Sequence, residues 1–236
     1  VVNITIEEWS DIFGPAEIGY PVDLVIAKPD DSTLAISMEK ELININTVLH
    51  QEILSNGSEN VAYLVFNSFL LTSLEELLEV FANFSSAGIS KLILDLRYNA
   101  GGSVSVARDL ASYLNAVSES NQDLFARLVF NDKNQSSNQS YFLRPLIHAL
   151  NLDQLIVITS ASTCSASEMI INGLSPYLDV RTVGGTTCGK PVWMNAFQFC
   201  DSMLVPVTFA VANRDQVAND TVADYFDGLP ADCAAE

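Results

Sequence analysis

Two short stretches of the chain carry side chains that could do chemistry together. The first is Thr-Cys-Ser-Ala-Ser-Glu-Met at residues 163–169, and the second is Gly-Lys at residues 189–190. Ser165 follows an apolar run typical of a buried strand and precedes a segment, 166–174, whose apolar residues recur at helical spacing. We therefore expect Ser165 at a strand-to-helix turn, where free N–H groups and the helix dipole favour negative charge. A nucleophilic serine fits there, because acyl transfer builds an oxyanion beside it.

A purely structural role is the alternative for Ser165. Serine is among the preferred residues at a helix N-cap, and Glu168 stands three positions later, as in a capping box. Taken alone, this local pattern favours capping.

Lys190 changes the balance between these alternatives. It lies 25 residues after Ser165, beyond a second apolar run at 180–183 and a Gly-Gly-Thr-Thr turn. A lysine acts as a general base only when neutral, and burial beside apolar residues favours that form. Its neighbours Cys188, Pro191 and Trp193 supply such a setting. A solvated surface lysine is the alternative. We predict that Lys190 begins a strand and that its side chain converges with that of Ser165.

The two stretches resemble motifs of the carboxyl-terminal processing (tail-specific) serine peptidases. Ser-Ala-Ser-Glu is followed at the family's spacing by Gly-Lys. The sequence Asp-Leu-Arg-Tyr-Asn-Ala-Gly-Gly at 95–102 is similar to the family's Asp-Leu-Arg-x-Asn-x-Gly-Gly signature, and residues 61–69 are similar to its core strand. The three matches keep the family's order and cover about residues 41–236.

The resemblance implies a serine endopeptidase. Ser165 and Lys190 would form a dyad that cleaves unfolded or carboxyl-terminal protein segments through an acyl-enzyme. The oxyanion hole would use the N–H of Ala166 and that of Gly101 or Gly102. Protein or peptide substrates are implied, and neither a cofactor nor a metal ion is expected.

The resemblance is incomplete at a third catalytic position. Many members of the family carry a glutamine four residues after the lysine, and Met194 stands there in this chain. Gln198 or Asn195 is the candidate substitute for orienting Lys190. A Ser-His triad is not expected, because no motif surrounds His50 or His148.

Two other function classes remain open at this point. One is a catalytically inactive binding module on the same fold, with a lipid or peptide ligand. The other is a crotonase-like acyl-CoA enzyme, which needs an oxyanion loop but not the Ser165–Lys190 spacing. That spacing favours the peptidase.

The predicted fold class is α/β. Alternating strands and helices indicate a crotonase/ClpP-like, mostly parallel sheet with crossover helices over residues 41–236. We predict strands at 61–66, 92–96 and 124–130, helices beginning at Thr72-Ser73 and over 104–114, and an edge strand at 42–48. Asp95 and Arg97 are expected to pair and hold the loop that follows them.

Residues 1–40 are β-rich and resemble the second half of a PDZ domain. Strands are predicted at 22–27 and 33–38, around a polar hairpin. The first half, with its carboxylate-binding loop, either lies upstream of residue 1 or is absent. The predicted domains are thus a partial PDZ-like segment, 1–40, and a catalytic domain, 41–236.

Composition limits the partners. The 236 residues are 49% hydrophobic and carry a net charge of −18, with eleven Lys and Arg against twenty-nine Asp and Glu. Such a chain can form a substantial core, and its surface repels nucleic-acid phosphates and anionic membranes, so neither is expected as a general partner.

Four cysteines lie at positions 164, 188, 200 and 233, and they allow three disulfide pairings, among which the sequence does not choose. They form no pattern typical of a zinc site. The even number of cysteines, with the resemblance to exported peptidases, favours an exported, periplasmic or cell-envelope location; buried free thiols are the alternative.

Overall fold

The computed structural model describes residues 11–55, 57, 59–120 and 122–235. The chain divides into two compact units, residues 1–45 and residues 46–236. The strands are β1 (Pro21–Ala27), β2 (Thr33–Glu39), β3 (Val48–Ser55), β4 (Asn60–Phe66), β5 (Lys91–Asp95), β6 (Leu124–Phe130), β7 (Gln139–Phe142), β8 (Gln154–Thr159), β9 (Asp179–Gly184), β10 (Val192–Met194), β11 (Phe197–Phe199), β12 (Ser202–Leu204), β13 (Val207–Ala212) and β14 (Cys233–Ala234). The helices are α1 (Ser73–Ser86), α2 (Val104–Leu114), α3 (Ala166–Leu174) and α4 (Arg214–Ala218), with a 3-10 turn at Gln135–Ser137.

The first unit contains an antiparallel hairpin of β1 and β2. Both strands agree with the sequence prediction. After β2, the ammonium group of Lys40 donates hydrogen bonds to the carbonyls of Gly14 and Pro15 and lies 5.3 Å from the ring centre of Tyr20. These contacts tie the chain after the hairpin to the chain before it. The expected PDZ-like character of residues 1–40 stays a prediction.

The second unit is organised around a six-stranded sheet with the order β14-β9-β8-β5-β4-β3. All neighbouring strands are parallel except β3, which pairs antiparallel with β4 at one edge. The mostly parallel sheet therefore agrees with the sequence prediction. The predicted edge strand at 42–48 was wrong, because the antiparallel edge strand begins only at Val48.

The helices bury apolar faces in one core. Leu77, Phe81 and Phe84 of α1 are fully buried, and their spacing places them on one helix face. Phe81 stacks on Tyr113 of α2 with 4.6 Å between ring centres, which joins these two helices. Among the described residues, no helix has the length and apolar character needed to cross a bilayer.

A second sheet departs from the prediction of one mostly parallel sheet. It has the order β10-β13-β6-β7 and is antiparallel throughout. Its central pair joins β6 to β13, which are far apart in the sequence. An apolar run predicts a strand but not its partner, so this sheet could not be derived from hydrophobic patterning.

The carboxyl end of β5 is stabilised by an ion pair between the buried Asp95 and the exposed Arg97. Arg97 donates to both carboxylate oxygens of Asp95, at 3.0 and 2.6 Å, and the Tyr63 hydroxyl donates to Asp95 at 2.9 Å. Burial alone would raise the pKa of Asp95, but the hydrogen bonds from Arg97 and Tyr63 outweigh it and hold that pKa below its ordinary value. The predicted pairing of Asp95 with Arg97 is thus confirmed.

We predict a pH-dependent loss of stability from this pair. A carboxyl with a lowered pKa in the folded state stabilises the fold above its unfolded pKa, about 4, and this contribution disappears as the pH falls further. Thermal unfolding of the wild type and of Asp95→Asn should therefore differ at pH 7 and converge towards pH 3. Asp132→Asn, at an exposed loop position, is the control. A constant difference between wild type and Asp95→Asn across this range would contradict the prediction.

Candidate active site

Ser165 lies at a sharp turn between the end of β8 and the start of α3, as the sequence predicts. It is the N-cap residue of α3 and has φ 61° and ψ −112°. A positive φ is unfavourable for a residue with a Cβ and costs about 1–3 kcal/mol, so the surrounding contacts must impose it. Serine nucleophiles of α/β hydrolases occupy a similarly strained turn between strand and helix. The side chain is 5% exposed.

Glu168 joins the serine turn to the lysine segment. Its side chain is fully buried, and its Oε2 accepts hydrogen bonds from the backbone N–H of Ser165 and from that of Lys190, each at 2.9 Å. Its Oε1 accepts from the Thr187 hydroxyl at 2.6 Å and from the Gly189 N–H at 2.8 Å. Four donors around one carboxyl group suit its ionised form, which only accepts hydrogen bonds.

A disulfide makes a second connection between the same two segments. Cys164 precedes Ser165 directly, and it is bonded to Cys188, with 5.2 Å between their Cα atoms. Cys200 and Cys233 are free and exposed. The structure therefore contains the Cys164–Cys188 disulfide alone among the described cysteines, and the buried-thiol alternative is also wrong for Cys200 and Cys233, which are exposed.

Lys190 is half-buried and lies two residues before β10. The prediction that it begins a strand was therefore wrong by two positions. Its backbone shares a hydrogen-bond acceptor with that of Ser165, which brings the two segments together. Within the described ranges, no hydrogen bond or ion pair of the Lys190 ammonium group is found, and none joins it to the Ser165 hydroxyl.

The glycine pair after β5 lies against the serine turn. Gly101 has φ 99°, and a Cβ there would come within 2.8 Å of the Ala166 nitrogen and of the Ser165 Cβ. Only glycine permits both this backbone conformation and this close approach. The N–H of Gly101 donates to the buried Asn99 side chain at 2.9 Å, whereas that of Gly102 has no acceptor among the residues described.

Asn99 holds this loop in place. Its side-chain amide donates to the Phe66 carbonyl at 2.9 Å, and its own carbonyl accepts from the Cys164 N–H and the Ser167 hydroxyl. The glycine loop is thus fastened both to β4 and to the serine turn.

The two candidates for a third catalytic residue lie between β10 and β11 and on β11 itself. Gln198 is exposed on β11, and its side-chain amide donates to the Cys200 carbonyl at 2.7 Å. Asn195 lines a surface cavity of about 490 Å³ with Phe130 and Phe197. In the described part of the chain, neither residue has a hydrogen bond to Lys190. His50 lies on β3, beside Glu52.

The sequence predicted no role for Thr187 and Tyr225, which lie near Glu168, and for Glu168 it predicted only a helix-capping role. Thr187 is buried, and its hydroxyl also accepts from the Leu229 N–H at 2.7 Å. Tyr225 is 7% exposed, and its burial, together with the charge of Glu168, raises its pKa. The only signal in the sequence was the position of Glu168 three residues after Ser165, which indicates a capping box equally well.

Comparison with known families agrees with this geometry. The model of Peptidase family S41 matches residues 60–222, which is more than half of the chain and includes Ser165, Lys190 and the glycine loop. The chain belongs to peptidase family S41. Sequence reasoning had identified carboxyl-terminal processing peptidases as the relatives, and this prediction is confirmed.

Two relatives of this S41 chain are themselves carboxyl-terminal processing proteases. The protease of Picosynechococcus sp. is 26% identical over 196 residues, covering 81% of this chain and 44% of the relative. Carboxy-terminal processing protease CtpA of Bacillus subtilis is 24% identical over 199 residues, covering 81% of this chain and 38% of the relative. The S41 chain thus spans less than half the length of either relative.

Solved structures show the same fold. An S41 protease from Bacteroides fragilis superimposes with a TM-score of 0.73 at 26% identity, covering 99% of this chain and 63% of the other. The photosystem II D1 C-terminal processing protease gives a TM-score of 0.63 at 18% identity, covering 93% of this chain and 56% of the other. The α/β fold of this S41 chain, with its mixed sheets, is therefore the fold of this peptidase family.

We predict that Glu168→Gln lowers any proteolytic activity of the chain about a hundredfold, since displacements of about 1 Å between reacting groups can cost that much. The amide keeps the size of the side chain but turns one acceptor into a donor that faces other donors. Hydrolysis of a fluorogenic unfolded protein measures the effect. Glu119→Gln, at an exposed position, is the matched control. Wild-type kcat in Glu168→Gln would show that the carboxylate does not position the site.

Proposed function

We propose that this S41 chain is a serine endopeptidase in which Ser165 is the nucleophile and Lys190 the general base. One observation carries the proposal: the backbone N–H groups of both residues donate to the same oxygen of the buried Glu168. Residues far apart in the sequence are therefore held at one point. Membership of a peptidase family supports a protease, and no observation favours the inactive binding module.

The proposed reaction begins when the neutral amine of Lys190 takes the proton of the Ser165 hydroxyl. The serine oxygen attacks the carbonyl carbon of the peptide bond and forms a tetrahedral oxyanion. As this intermediate collapses, the Lys190 ammonium group protonates the leaving amine and an acyl-enzyme remains. Water then attacks the ester, with the lysine amine again accepting a proton, and the carboxylic acid product leaves as Ser165 is restored.

We assign the oxyanion hole to the N–H groups of Ala166 and Gly102. Ala166 is the first residue of α3, so its N–H has no partner within the helix. Gly102 is exposed, and its N–H has no acceptor in the described part of the chain. Gly101 is the less suitable glycine, because its N–H already donates to Asn99. The resemblance left the choice between Gly101 and Gly102 open, and we propose Gly102.

We propose that the lysine side chain moves to act as the base, since no hydrogen bond joins it to the Ser165 hydroxyl in the described part of the chain. Catalytic hydrogen bonds are often formed only once substrate is bound, and a productive Ser165–Lys190 contact needs about 2.6–3.2 Å between Oγ and Nζ. We propose that substrate binding excludes the remaining water and completes the contact.

We predict that Ser165→Ala and Lys190→Arg both lose turnover by at least about a thousandfold, within the range found when members of a catalytic triad are removed. Arginine keeps the charge of Lys190 but does not deprotonate at working pH, so it cannot be the base. Hydrolysis of an unfolded protein measures overall turnover, and labelling by a fluorophosphonate measures the reactivity of the serine.

Lys28→Arg, in the exposed hairpin turn, is the matched control. Turnover by Lys190→Arg at the wild-type rate would remove Lys190 from the mechanism. Equal fluorophosphonate labelling of the wild type and of Ser165→Ala would show that Ser165 is not the nucleophile.

We further propose that the substrates are unfolded or carboxyl-terminal protein segments. The relatives named as carboxyl-terminal processing proteases support this class. The finer fold assignment, a crotonase/ClpP-like core preceded by a partial PDZ-like segment, belongs to the same proposal. The β1–β2 hairpin is compatible with the closing strands of a PDZ domain.

We also propose an exported, periplasmic or cell-envelope location. The Cys164–Cys188 disulfide supports it, because such bonds persist in oxidising compartments.

The partial PDZ-like segment leads to a prediction about selectivity. Capture of a peptide terminus by strand addition needs a strand edge and N–H groups that hold the terminal carboxylate, and we propose that residues 1–40 do not contain such a carboxylate-binding loop. We expect this chain to cleave a peptide with a free carboxyl terminus and its amidated form at similar rates, within about threefold. Comparing kcat/KM for the two peptides tests this. A strong preference for the free acid would show that recognition does not need the other half.

A further inference from the structure

The Cys164–Cys188 bond connects the two segments that carry the proposed dyad. Cys164 directly precedes Ser165, and Cys188 lies two residues before Lys190. The ring that the bond closes contains α3, β9 and Glu168. In addition, the Cys188 N–H donates to the Thr163 carbonyl at 3.0 Å, and the Cys164 N–H donates to the Asn99 carbonyl at 3.1 Å. The disulfide therefore lies between the nucleophile turn, the lysine segment and the glycine loop.

The sulfur of Cys188 is close to the oxygen that positions both catalytic segments. Its Sγ lies 3.5 Å from Oε2 of Glu168, the atom that accepts from the Ser165 and Lys190 N–H groups. A sulfur in a disulfide has no proton, so in the oxidised protein this is a contact without a hydrogen bond. A free thiol would donate a hydrogen bond to Oε2 and compete with the two backbone donors, and a thiolate would repel the carboxylate.

We propose that the Cys164–Cys188 disulfide is a positioning element of the active site, so that proteolysis depends on its oxidised form. This inference rests on the proposed Ser165–Lys190 mechanism. The bond acts through Ser165 and Lys190 and does not touch the reacting atoms. It limits the distance between the two segments, and it keeps a competing proton away from Glu168.

A dithiol reductant can open this bond from solvent. Cys188 is exposed and Cys164 is partly buried, so the reagent thiolate attacks the sulfur of Cys188. The S–S bond breaks, and Cys164 leaves as a thiolate that takes up a proton. The second thiol of the reagent then attacks the mixed disulfide and releases Cys188 as a thiol. Two electrons pass to the protein, and the reagent becomes a cyclic disulfide.

Partial loss of activity is expected after reduction. The hydrogen bonds of Glu168 still join the two segments, so the site loosens without coming apart. Misplacement of about 1 Å can cost a hundredfold in rate, and we expect kcat to fall about tenfold to a hundredfold. KM should stay within about twofold, because the bond does not contact the substrate.

The experiment uses the whole chain in a Cys200→Ser/Cys233→Ser background, in which the free thiols are absent and the disulfide remains. Its kcat and KM on an unfolded protein substrate are measured before reduction, after dithiothreitol, and after reoxidation. Alkylation followed by mass spectrometry establishes the state of the bond. Melting temperature shows that the reduced protein is folded at the assay temperature. We expect kcat to fall on reduction and to recover on reoxidation.

Cys164→Ser/Cys188→Ser is the matched variant. It should have a lowered kcat that dithiothreitol does not change. If this variant does not fold, the change of kcat on reduction and reoxidation of the Cys200→Ser/Cys233→Ser protein is sufficient to test the positioning role. Equal kcat in the oxidised and reduced forms would overturn the positioning role, and so would a fall of kcat on reduction that follows only from unfolding. An oxidised protein that neither hydrolyses substrate nor reacts with a fluorophosphonate would instead refute the proposed function.

Discussion

The site depends on one buried carboxylate. Glu168 has no access to solvent, and a buried charge is costly unless donors surround it. Its two oxygens accept hydrogen bonds from Ser165, Thr187, Gly189 and Lys190, so the donors that satisfy the charge also define where Ser165 and Lys190 lie. The hydrogen bonds that offset the buried charge of Glu168 therefore also hold the segments of the site together.

The remaining scaffold supports this arrangement from both sides. β8 and β9 are neighbouring parallel strands, and their carboxyl ends lead to the serine turn and to the lysine segment. β5 lies on the other side of β8, and its carboxyl end leads to the glycine loop. Because carboxyl ends of parallel strands meet at one edge of a sheet, three segments distant in sequence arrive together. The Asp95–Arg97 pair stabilises the start of the glycine loop.

The disulfide joins the serine turn and the lysine segment covalently, in addition to the hydrogen bonds of the Glu168 carboxylate. A carboxylate bridge adapts to small movements, whereas a disulfide limits the separation of the two Cα atoms, here 5.2 Å. The strained backbone of Ser165, with φ 61°, needs such support, since nothing in a serine side chain favours that conformation. Rigid support of this kind is typical of sites in which small displacements change the rate.

Much of this protein was determined by its sequence. Apolar runs predicted β4, β5, β6 and β8, and helical spacing predicted α1, α2 and α3, because these patterns depend on local burial. The spacing of Ser165 and Lys190 indicated the chemistry. Only tertiary structure decided the antiparallel second sheet, the Cys164–Cys188 pairing and the four partners of Glu168. Each of these joins residues distant in the chain, and local patterns of hydrophobicity and charge contain no information about such partners.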